Sequence, residues 1–230
     1  MVLRWKMAQW FELRWWKNYL HDKNETEYLS WKKNYWKEIL LKVDAGSGGG
    51  DPAMTFCTLD VSKTICDLGC GPAGVFIALP QNRVTALDPL VDEYEKQIPF
   101  FRKKDYPNVN FVQSIIEDLL SQEQFDFVFC MNVINHVQDI EKGFEKLNAL
   151  CKDNGVVVLS IDGHNHSFFK YLFRLVPGDV LHPHQFDLNE YQSLFETHGL
   201  KVLKTELLKK KIIFNHYLLV ARKDSISKSS

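Results

Sequence analysis

A stretch of sixteen residues, TICDLGCGPAGVFIAL from Thr64 to Leu79, constrains the fold more than any other part of the chain. Its first residues are apolar and suit a short buried strand, and helical spacing resumes from Ala73 to Leu79. Between them, Gly69 and Gly71 allow a tight turn in which the backbone can approach a ligand closely. The stretch therefore predicts a strand, a glycine turn and a helix that together cradle a small molecule.

The carboxylate of Asp67, two residues before the first glycine, indicates which ligand this cradle suits. Gly69, Gly71 and Gly74 match the dinucleotide-binding pattern GxGxxG, which is a weak signal by itself. A carboxylate at this place would repel a pyrophosphate, whereas it would attract a ligand that carries an ammonium and a sulfonium group. S-adenosylmethionine is such a ligand.

These residues resemble the first motif of the class I S-adenosylmethionine-dependent methyltransferases, an acid followed by glycines, although the third glycine, Gly74, is displaced by one position. The resemblance covers about residues 64–221. It implies a doubly wound, mostly parallel, seven-stranded Rossmann-like sheet with an antiparallel C-terminal strand pair and an N-terminal helical lid. It also implies S-adenosylmethionine as the cofactor.

The pattern of the remaining chain agrees with an α/β fold of this kind. Apolar runs predict further strands at 83–88, 109–113, 125–132, 156–161, 200–207 and 212–221, and helical spacing predicts helices at 91–104, 140–151 and 188–198. Strands and helices in alternation are typical of a parallel sheet that is covered on both faces. We divide the chain into a helical lid (1–45), a glycine-rich linker and entry to the core (46–62), the cofactor-binding core (63–223) and a disordered tail (224–230).

Asp88 ends the second predicted strand, nineteen residues after Gly69. An acid at this place can accept hydrogen bonds from the vicinal hydroxyls of a ribose, a role shared by nicotinamide and S-adenosylmethionine folds. We therefore assign Asp88, with the adjacent Pro89, to the cofactor site. A turn or N-cap aspartate before a proline is the plain structural alternative.

The third and fourth strands supply the remaining cofactor residues that the resemblance implies. After the third strand the family usually has an aspartate near the adenine amino group, and this chain has Ile115 there. The contact would then come from the backbone or from Glu117, with Ile116 packed on the adenine ring. At the end of the fourth strand, the backbone near Cys130 and Met131 would lie against the methionine part of the cofactor.

All six tryptophans lie within the first 36 residues, in two segments that predict helices at 7–20 and 25–43. In the resembled family, helices before the first motif commonly close over the cofactor and help form the acceptor pocket. This implies that Tyr28, Tyr35 or Trp36 faces the sulfonium, because an aromatic face attracts a cation. Simple packing on the sheet and an amphipathic segment in peripheral contact with a membrane are the alternatives.

Half of the eight histidines, His164, His166, His182 and His184, lie between the fifth strand and the last helix. Because strand ends carry acceptor-binding residues in such folds, one of these histidines could remove a proton from an acceptor hydroxyl or amine. His136, after the fourth strand, is a further candidate. The His-x-His pairs could instead bind a metal, but no cysteine or close carboxylate completes a set, so we expect none. Packing and capping are the structural alternatives.

Composition excludes several other classes of function. The formal net charge of -1 and the sequence pI near 6.7 give no overall positive field to attract nucleic acid. The cysteines form no Cys-x-x-Cys pair and are interpreted as reduced core thiols, and no segment is long enough to span a bilayer. These features favour a cytoplasmic enzyme; the oligomeric state stays open.

We therefore predict methyl transfer from S-adenosylmethionine to an N, O or C nucleophile of a small-molecule acceptor. Because the methyl group is already activated, alignment and desolvation can supply most of the catalysis, and a base is needed only for an acceptor that enters protonated. The alternatives are an NAD(P)-dependent oxidoreductase and a catalytically silent, cofactor-binding partner subunit.

Overall fold

The computed structural model describes residues 2–44, 60–119, 122–165, 184 and 186–224. In these ranges the chain forms a seven-stranded sheet of order β3-β2-β1-β4-β5-β7-β6. The strands are β1 (Thr64–Leu68), β2 (Arg83–Leu87), β3 (Val109–Val112), β4 (Phe125–Met131), β5 (Cys151–His164), β6 (Leu200–Lys209) and β7 (Phe214–Lys223). The helices are α1 (Val2–Leu20), α2 (Glu25–Asp44), α3 (Val91–Gln97), α4 (Ile140–Leu150) and α5 (Leu188–Thr197).

The pairing of the strands confirms the expected fold class. Strands β1 to β5 pair with one another in parallel, and β7 runs antiparallel to both β5 and β6. The strand order reverses beside β1, where β4 lies on one side and β2 on the other. In an open α/β sheet, ligands bind outside the carboxyl ends of the strands at such a reversal.

The sheet separates two apolar clusters, one on each of its faces. Side chains of α2 and α3, with partly buried ones of α1, pack on alternate residues of the strands, such as Ile65, Phe129 and Val158. Side chains of α4 and α5 pack on the other set, such as Leu68 and Leu159. Because successive residues of a regular strand point to opposite faces, these clusters distinguish an α1–α3 face of the sheet from an α4–α5 face.

The helix predicted from Ala73 to Leu79 is wrong. The glycine turn continues instead into two single 3-10 turns, Gly71–Ala73 and Val75–Ile77, separated by Gly74 in an extended conformation. The Val75 amide donates its hydrogen bond to the Asp67 carboxylate. It is therefore bonded to a side chain at the residue where the second 3-10 turn begins. Pro80 then disfavours helical geometry at the residue before it.

The N-terminal helices differ in how much apolar surface they bury. Helix α2 buries Tyr28, Trp36, Ile39, Leu40 and Val43, whereas α1 leaves Met7, Trp10, Phe11 and Trp15 exposed. No helix among the described residues is long and apolar enough to cross a membrane. The predicted linker lies mostly, and the predicted tail almost wholly, outside the described residues.

Candidate functional site

Asp67 lies at the carboxyl end of β1 with its side chain almost completely buried. Its Oδ2 accepts a hydrogen bond of 2.7 Å from the Val75 amide. Burial raises the pKa of Asp67 to about 7, although that hydrogen bond and the positive charge of Lys32 act in the opposite direction. Burial therefore disfavours the ionised form of Asp67. A cationic ligand would stabilise that form, as is common for carboxylates in binding sites.

The glycine turn after β1 requires glycine for reasons of geometry. Gly69 and Gly71 have φ angles of 66° and 55°, a region that L side chains rarely adopt. A Cβ on Gly69 would lie 2.3 Å from a methyl carbon of Val133, and one on Gly74 would lie 2.1 Å from Asp67 Oδ2. The backbone therefore fits closely around the carboxylate.

Asp88 follows β2 directly and supports the same turn from the neighbouring strand. Its two carboxylate oxygens accept hydrogen bonds from the Gly71 amide at 3.0 Å and the Leu90 amide at 2.8 Å. Burial raises the pKa of Asp88 to about 7, and the negative charge of Glu12 on α1 adds to this effect. Asp88 is therefore both a turn residue, as the structural alternative had it, and a buried charge at the ligand-binding end of the sheet.

Neither Asp67 nor Asp88 forms an ion pair within the described parts of the chain. The cation that acts on Asp67 is Lys32, a residue that the sequence analysis missed. Its ammonium lies 5.0, 4.4 and 5.4 Å from the ring centres of Trp16, Trp31 and Tyr35. Burial lowers the pKa of Lys32 to about 8, with the charge of Asp67 opposing it.

A helical spacing could have identified Lys32 from the sequence. It lies four residues after Tyr28 and four before Trp36, so all three lie along one side of α2. The lysine-rich composition of α2 hides this signal, because lysine usually indicates a solvated face.

Two of the predicted acceptor-binding aromatics attach α2 to the glycine turn. The Tyr28 hydroxyl donates to the Pro72 carbonyl at 3.2 Å, and Trp36 Nε1 donates to the Ala73 carbonyl at 3.0 Å. Both side chains are buried, whereas Tyr35 is half-buried beside Lys32. On α1, Trp16 lies over the same turn, 3.7 Å from the position that a Cβ on Gly71 would take.

The remaining predicted cofactor residues lie on both faces of the sheet. Met131 packs against the cluster on the α1–α3 face, as does the side of β1 that carries Asp67. Cys130 and Ile116 belong to the cluster on the α4–α5 face, and Glu117 accepts a hydrogen bond from the Gln138 amide at 2.7 Å. The Pro89 carbonyl accepts one from the Gln113 side chain.

The cysteines that the structure describes, Cys66, Cys70, Cys130 and Cys151, are buried and unpaired. Burial raises the pKa of each of these thiols, which disfavours the reactive thiolate.

The structure describes three of the five candidate histidines. His184 Nε2 lies 2.8 Å from the Val137 carbonyl, and burial lowers the pKa of its imidazole. His164 is 7% exposed, with its ring centre 4.3 Å from that of Phe214, and His136 ends a 3-10 turn after β4. His166 and His182 lie outside the described residues.

A histidine outside the predicted set, His216 on β7, pairs with Asp162 on β5 through an Nδ1–Oδ1 distance of 2.9 Å. Sequence reasoning missed it because Asp162 and His216 are far apart in the chain and only the antiparallel pairing of β5 with β7 brings them together. No group of three or more potential metal ligands occurs in the described parts of the chain.

The donor set at the carboxyl ends of β1 and β2 fits S-adenosylmethionine. Asp67 offers a buried anion to an ammonium, Asp88 offers carboxylate oxygens to ribose hydroxyls, and Lys32 offers a cation to the carboxylate of the methionine part.

A family model described as a methyltransferase domain matches residues 51–205 of the chain. The chain is 32% identical to the ubiquinone biosynthesis O-methyltransferase of Rickettsia typhi over 127 residues, which are 53% of this chain and 50% of that protein. It thus spans about half the length of the curated relatives that it matches.

Solved structures share the fold. One is the 1,6-didemethyltoxoflavin-N1-methyltransferase of Burkholderia thailandensis, with S-adenosylhomocysteine bound, at a TM-score of 0.59, 16% identity and 87% coverage of each chain. Another is the N-methyltransferase NodS of Bradyrhizobium japonicum, also with S-adenosylhomocysteine, at a TM-score of 0.58 and 13% identity, covering 90% of this chain and 91% of that one.

Proposed function

The chain belongs to the methyltransferase-domain family, and from this premise we propose that it transfers the methyl group of S-adenosylmethionine to a hydroxyl group of a small-molecule acceptor. The observation that carries the proposal is the pair of buried carboxylates, Asp67 and Asp88, on either side of one glycine turn. A nicotinamide cofactor would bring its pyrophosphate against Asp67, and the antiparallel C-terminal strands are also typical of methyltransferases rather than of nicotinamide enzymes.

In this proposal each polar residue of the site has a binding task. Asp67 binds the ammonium of the cofactor, Lys32 its carboxylate and Asp88 its ribose hydroxyls. The bound cofactor supplies a methyl group activated by a sulfonium sulfur. The protein then aligns the acceptor with this methyl group and excludes water, and both effects lower the barrier without an obligatory covalent step.

The choice of a hydroxyl acceptor is supported by the relatives. The Rickettsia typhi protein is named an O-methyltransferase, and its likeness to this chain extends over about half of each sequence. An acceptor oxygen also gives a reason for a base in the site, because a hydroxyl group enters with its proton.

We further propose that α1 opens for ligand exchange. Its Trp16 lies over the glycine turn, and its Glu12 accepts a hydrogen bond from the Tyr94 hydroxyl beside Asp88. Four apolar side chains of α1 are already exposed, so less buried surface holds α1 in place than holds α2. Movements of this kind are common where an active site must exclude water.

Calorimetry with S-adenosylhomocysteine and with NAD, in parallel with intrinsic tryptophan fluorescence, tests this function. We expect saturable binding of S-adenosylhomocysteine alone, together with a change in tryptophan emission as α1 closes on the ligand. Binding of NAD in its place would contradict the proposal. Binding without any methyl transfer to a broad panel of hydroxylated acceptors would instead favour the silent partner subunit.

A further inference from the structure

Asp162 and His216 form a histidine–carboxylate pair at the carboxyl end of β5. The two residues are direct partners in the antiparallel ladder between β5 and β7. His216 Nδ1 lies 2.9 Å from Asp162 Oδ1, and the two side chains are 20% and 15% exposed. The pair is thus largely shielded from solvent.

The pair lies on the same face of the sheet as Asp67 and Met131. Val158 and Leu218 belong to the cluster on the α1–α3 face, so Asp162 and His216, an even number of residues away on the same strands, share that face. Met131 of β4 lies directly opposite Ser160 of β5, on the side of β5 that is nearer to β1 and the proposed cofactor site. From strand spacings, the backbone of His216 is about 12 Å from that of Met131, a span that two side chains and one acceptor ring can fill.

Ser160 provides an independent indication of a ligand between these positions. Its side chain is 0% exposed, and its Oγ has no hydrogen-bond partner in the described structure. It lies opposite Met131 on one side and Leu218 on the other, two residues before Asp162 on the same face. Buried hydroxyl groups are rarely left unbonded, so this one is available to a polar group of a bound molecule.

We propose that this region binds the methyl acceptor, that the acceptor is an aromatic compound with an acidic hydroxyl group, and that His216, oriented by Asp162, is the base that removes the hydroxyl proton. This rests on the proposed methyl transfer and names the acceptor class and a catalytic residue for it. Of the histidines selected from the sequence, His184 contacts the Val137 carbonyl through Nε2, whereas His216, which was not among them, contacts a carboxylate.

The hydrogen bonding of the pair determines where the proton goes. Because the Asp162 carboxylate accepts a hydrogen bond from His216 Nδ1, the neutral imidazole carries its proton on Nδ1. Its Nε2 lone pair then faces the methyl acceptor. As the acceptor oxygen bonds the methyl carbon, the carbon–sulfur bond breaks with its electron pair on sulfur, and the hydroxyl proton passes to Nε2. His216 later returns this proton to water.

The charges around His216 suit this role. Asp162 stabilises the imidazolium that forms, and Lys211 Nζ, 3.5 Å from Asp162 Oδ2, favours the ionised carboxylate. Lys209 is the ladder partner of His216 on β6. An imidazole base is better matched to an aromatic hydroxyl than to the much less acidic hydroxyl of an aliphatic alcohol.

The test uses 4-nitrocatechol, whose anion absorbs visible light, with the full chain and S-adenosylmethionine carrying a deuterated methyl group. We expect the wild type to transfer the label and His216→Gln to lose about a hundredfold or more in turnover. Asp162→Asn should lose about tenfold and alter the pH profile. S-adenosylhomocysteine affinity should be unchanged in both. His198→Gln is the matched control, because His198 Nε2 also faces a carboxylate, Glu141 Oε2, at 3.3 Å, but on the α4–α5 side.

Addition of imidazole to His216→Gly provides a second measurement and should restore part of the turnover. Full activity of His216→Gln, or an equal loss in His198→Gln, would overturn the base role. Wild-type protein that binds S-adenosylhomocysteine but neither binds nor methylates 4-nitrocatechol would overturn the acceptor class and leave the proposed methyl transfer standing. Failure to bind S-adenosylhomocysteine would instead contradict the proposed function itself.

Discussion

Carboxylates that are partly or fully buried occur at both ends of the parallel strands, but their surroundings are opposite. At the amino end of β4, Asp126 accepts hydrogen bonds from the Thr64 amide and hydroxyl at 2.9 Å and from Lys152 Nζ at 2.8 Å. Burial acts against ionisation there, yet these bonds prevail and lower the pKa of Asp126 to about 2. At the carboxyl end, burial prevails and raises the pKa of Asp67 and Asp88 to about 7.

The contrast separates a structural carboxylate from the two carboxylates that we propose to bind the cofactor. Asp126 has its cation within the chain and connects the starts of β1, β4 and β5. Within the described ranges, Asp67 and Asp88 accept hydrogen bonds from backbone amides alone, which leaves part of their hydrogen-bonding capacity for a ligand. Such sites cost stability in the free protein and return it when ligand binds.

Removing one carboxylate from each end of the strands should have the largest effect. Asp67→Ala should weaken S-adenosylhomocysteine binding ten- to a hundredfold, because a charge-assisted hydrogen bond contributes roughly 1.5 to 3 kcal/mol. Asp126→Ala should leave this affinity unchanged while lowering the unfolding midpoint. Calorimetry and thermal unfolding measure the two effects, and equal affinity losses in both variants would contradict the distinction.

The pH dependence of stability should also differ between the two ends, by a somewhat smaller amount. The pKa of Asp67 and Asp88 in the folded chain, about 7, exceeds the ordinary aspartate value of 3.8, so the native state binds more protons between these two pH values. Stability of the ligand-free protein should therefore fall as the pH rises from about 4 to about 7. The pKa of Asp126 is lowered to about 2, so its protonation should reduce stability only as the pH falls below about 4.

Asp67→Asn isolates one of these groups, because an amide oxygen can still accept from the Val75 amide but carries no charge. We expect this variant, without ligand at pH 8, to be more stable than the wild type by on the order of 1 to 2 kcal/mol. Urea unfolding at pH 5 and pH 8 gives the comparison. A variant that is less stable than the wild type at pH 8 would show that Asp67 is already compensated in the folded chain.

The smallest expected effect concerns Lys32, whose positive charge acts on Asp67. Lys32→Met should weaken S-adenosylhomocysteine about fivefold, since it removes one charged contact worth about 1 kcal/mol. It should leave 5′-methylthioadenosine, which lacks the amino-acid part, unaffected. Lys33→Met is the control, because Lys33 is exposed on the same helix. An equal loss for both ligands would assign Lys32 to packing of α2 instead of the carboxylate.

The sequence predicted the alternation of strands and helices well because burial leaves a strong local pattern. The nearly continuous apolar run of β4 and the Asp67-to-Gly74 turn could be recognised without any coordinates. The error at 73–79 arose where a side chain, Asp67, bonds a backbone amide that a regular helix would use differently. The spacing of apolar residues does not show that a side chain competes with the helix for this backbone amide.

The same reasoning explains the outcome for the candidate site. The sequence analysis found Asp67, Asp88 and the glycines because they are close in sequence and follow consecutive strands. The carboxyl ends of neighbouring parallel strands meet at one edge of the sheet, so their proximity could be predicted from their order along the chain. Tyr28 and Trp36 were predicted to face the sulfonium, whereas their hydrogen bonds to the Pro72 and Ala73 carbonyls depend on how α2 docks. His216 was missed because its partner is 54 residues away.

By itself, the sequence determined the class of fold and the cofactor-binding motif, because both depend on hydrophobic periodicity and on glycines and acids at fixed local spacings. The tertiary structure decided which charges are paired. It placed Lys152 beside Asp126, left Asp67 with Lys32 among aromatic rings, and aligned Asp162 with His216 across an antiparallel ladder. Electrostatic energies depend on distance and burial, and these are set only when remote segments pack together.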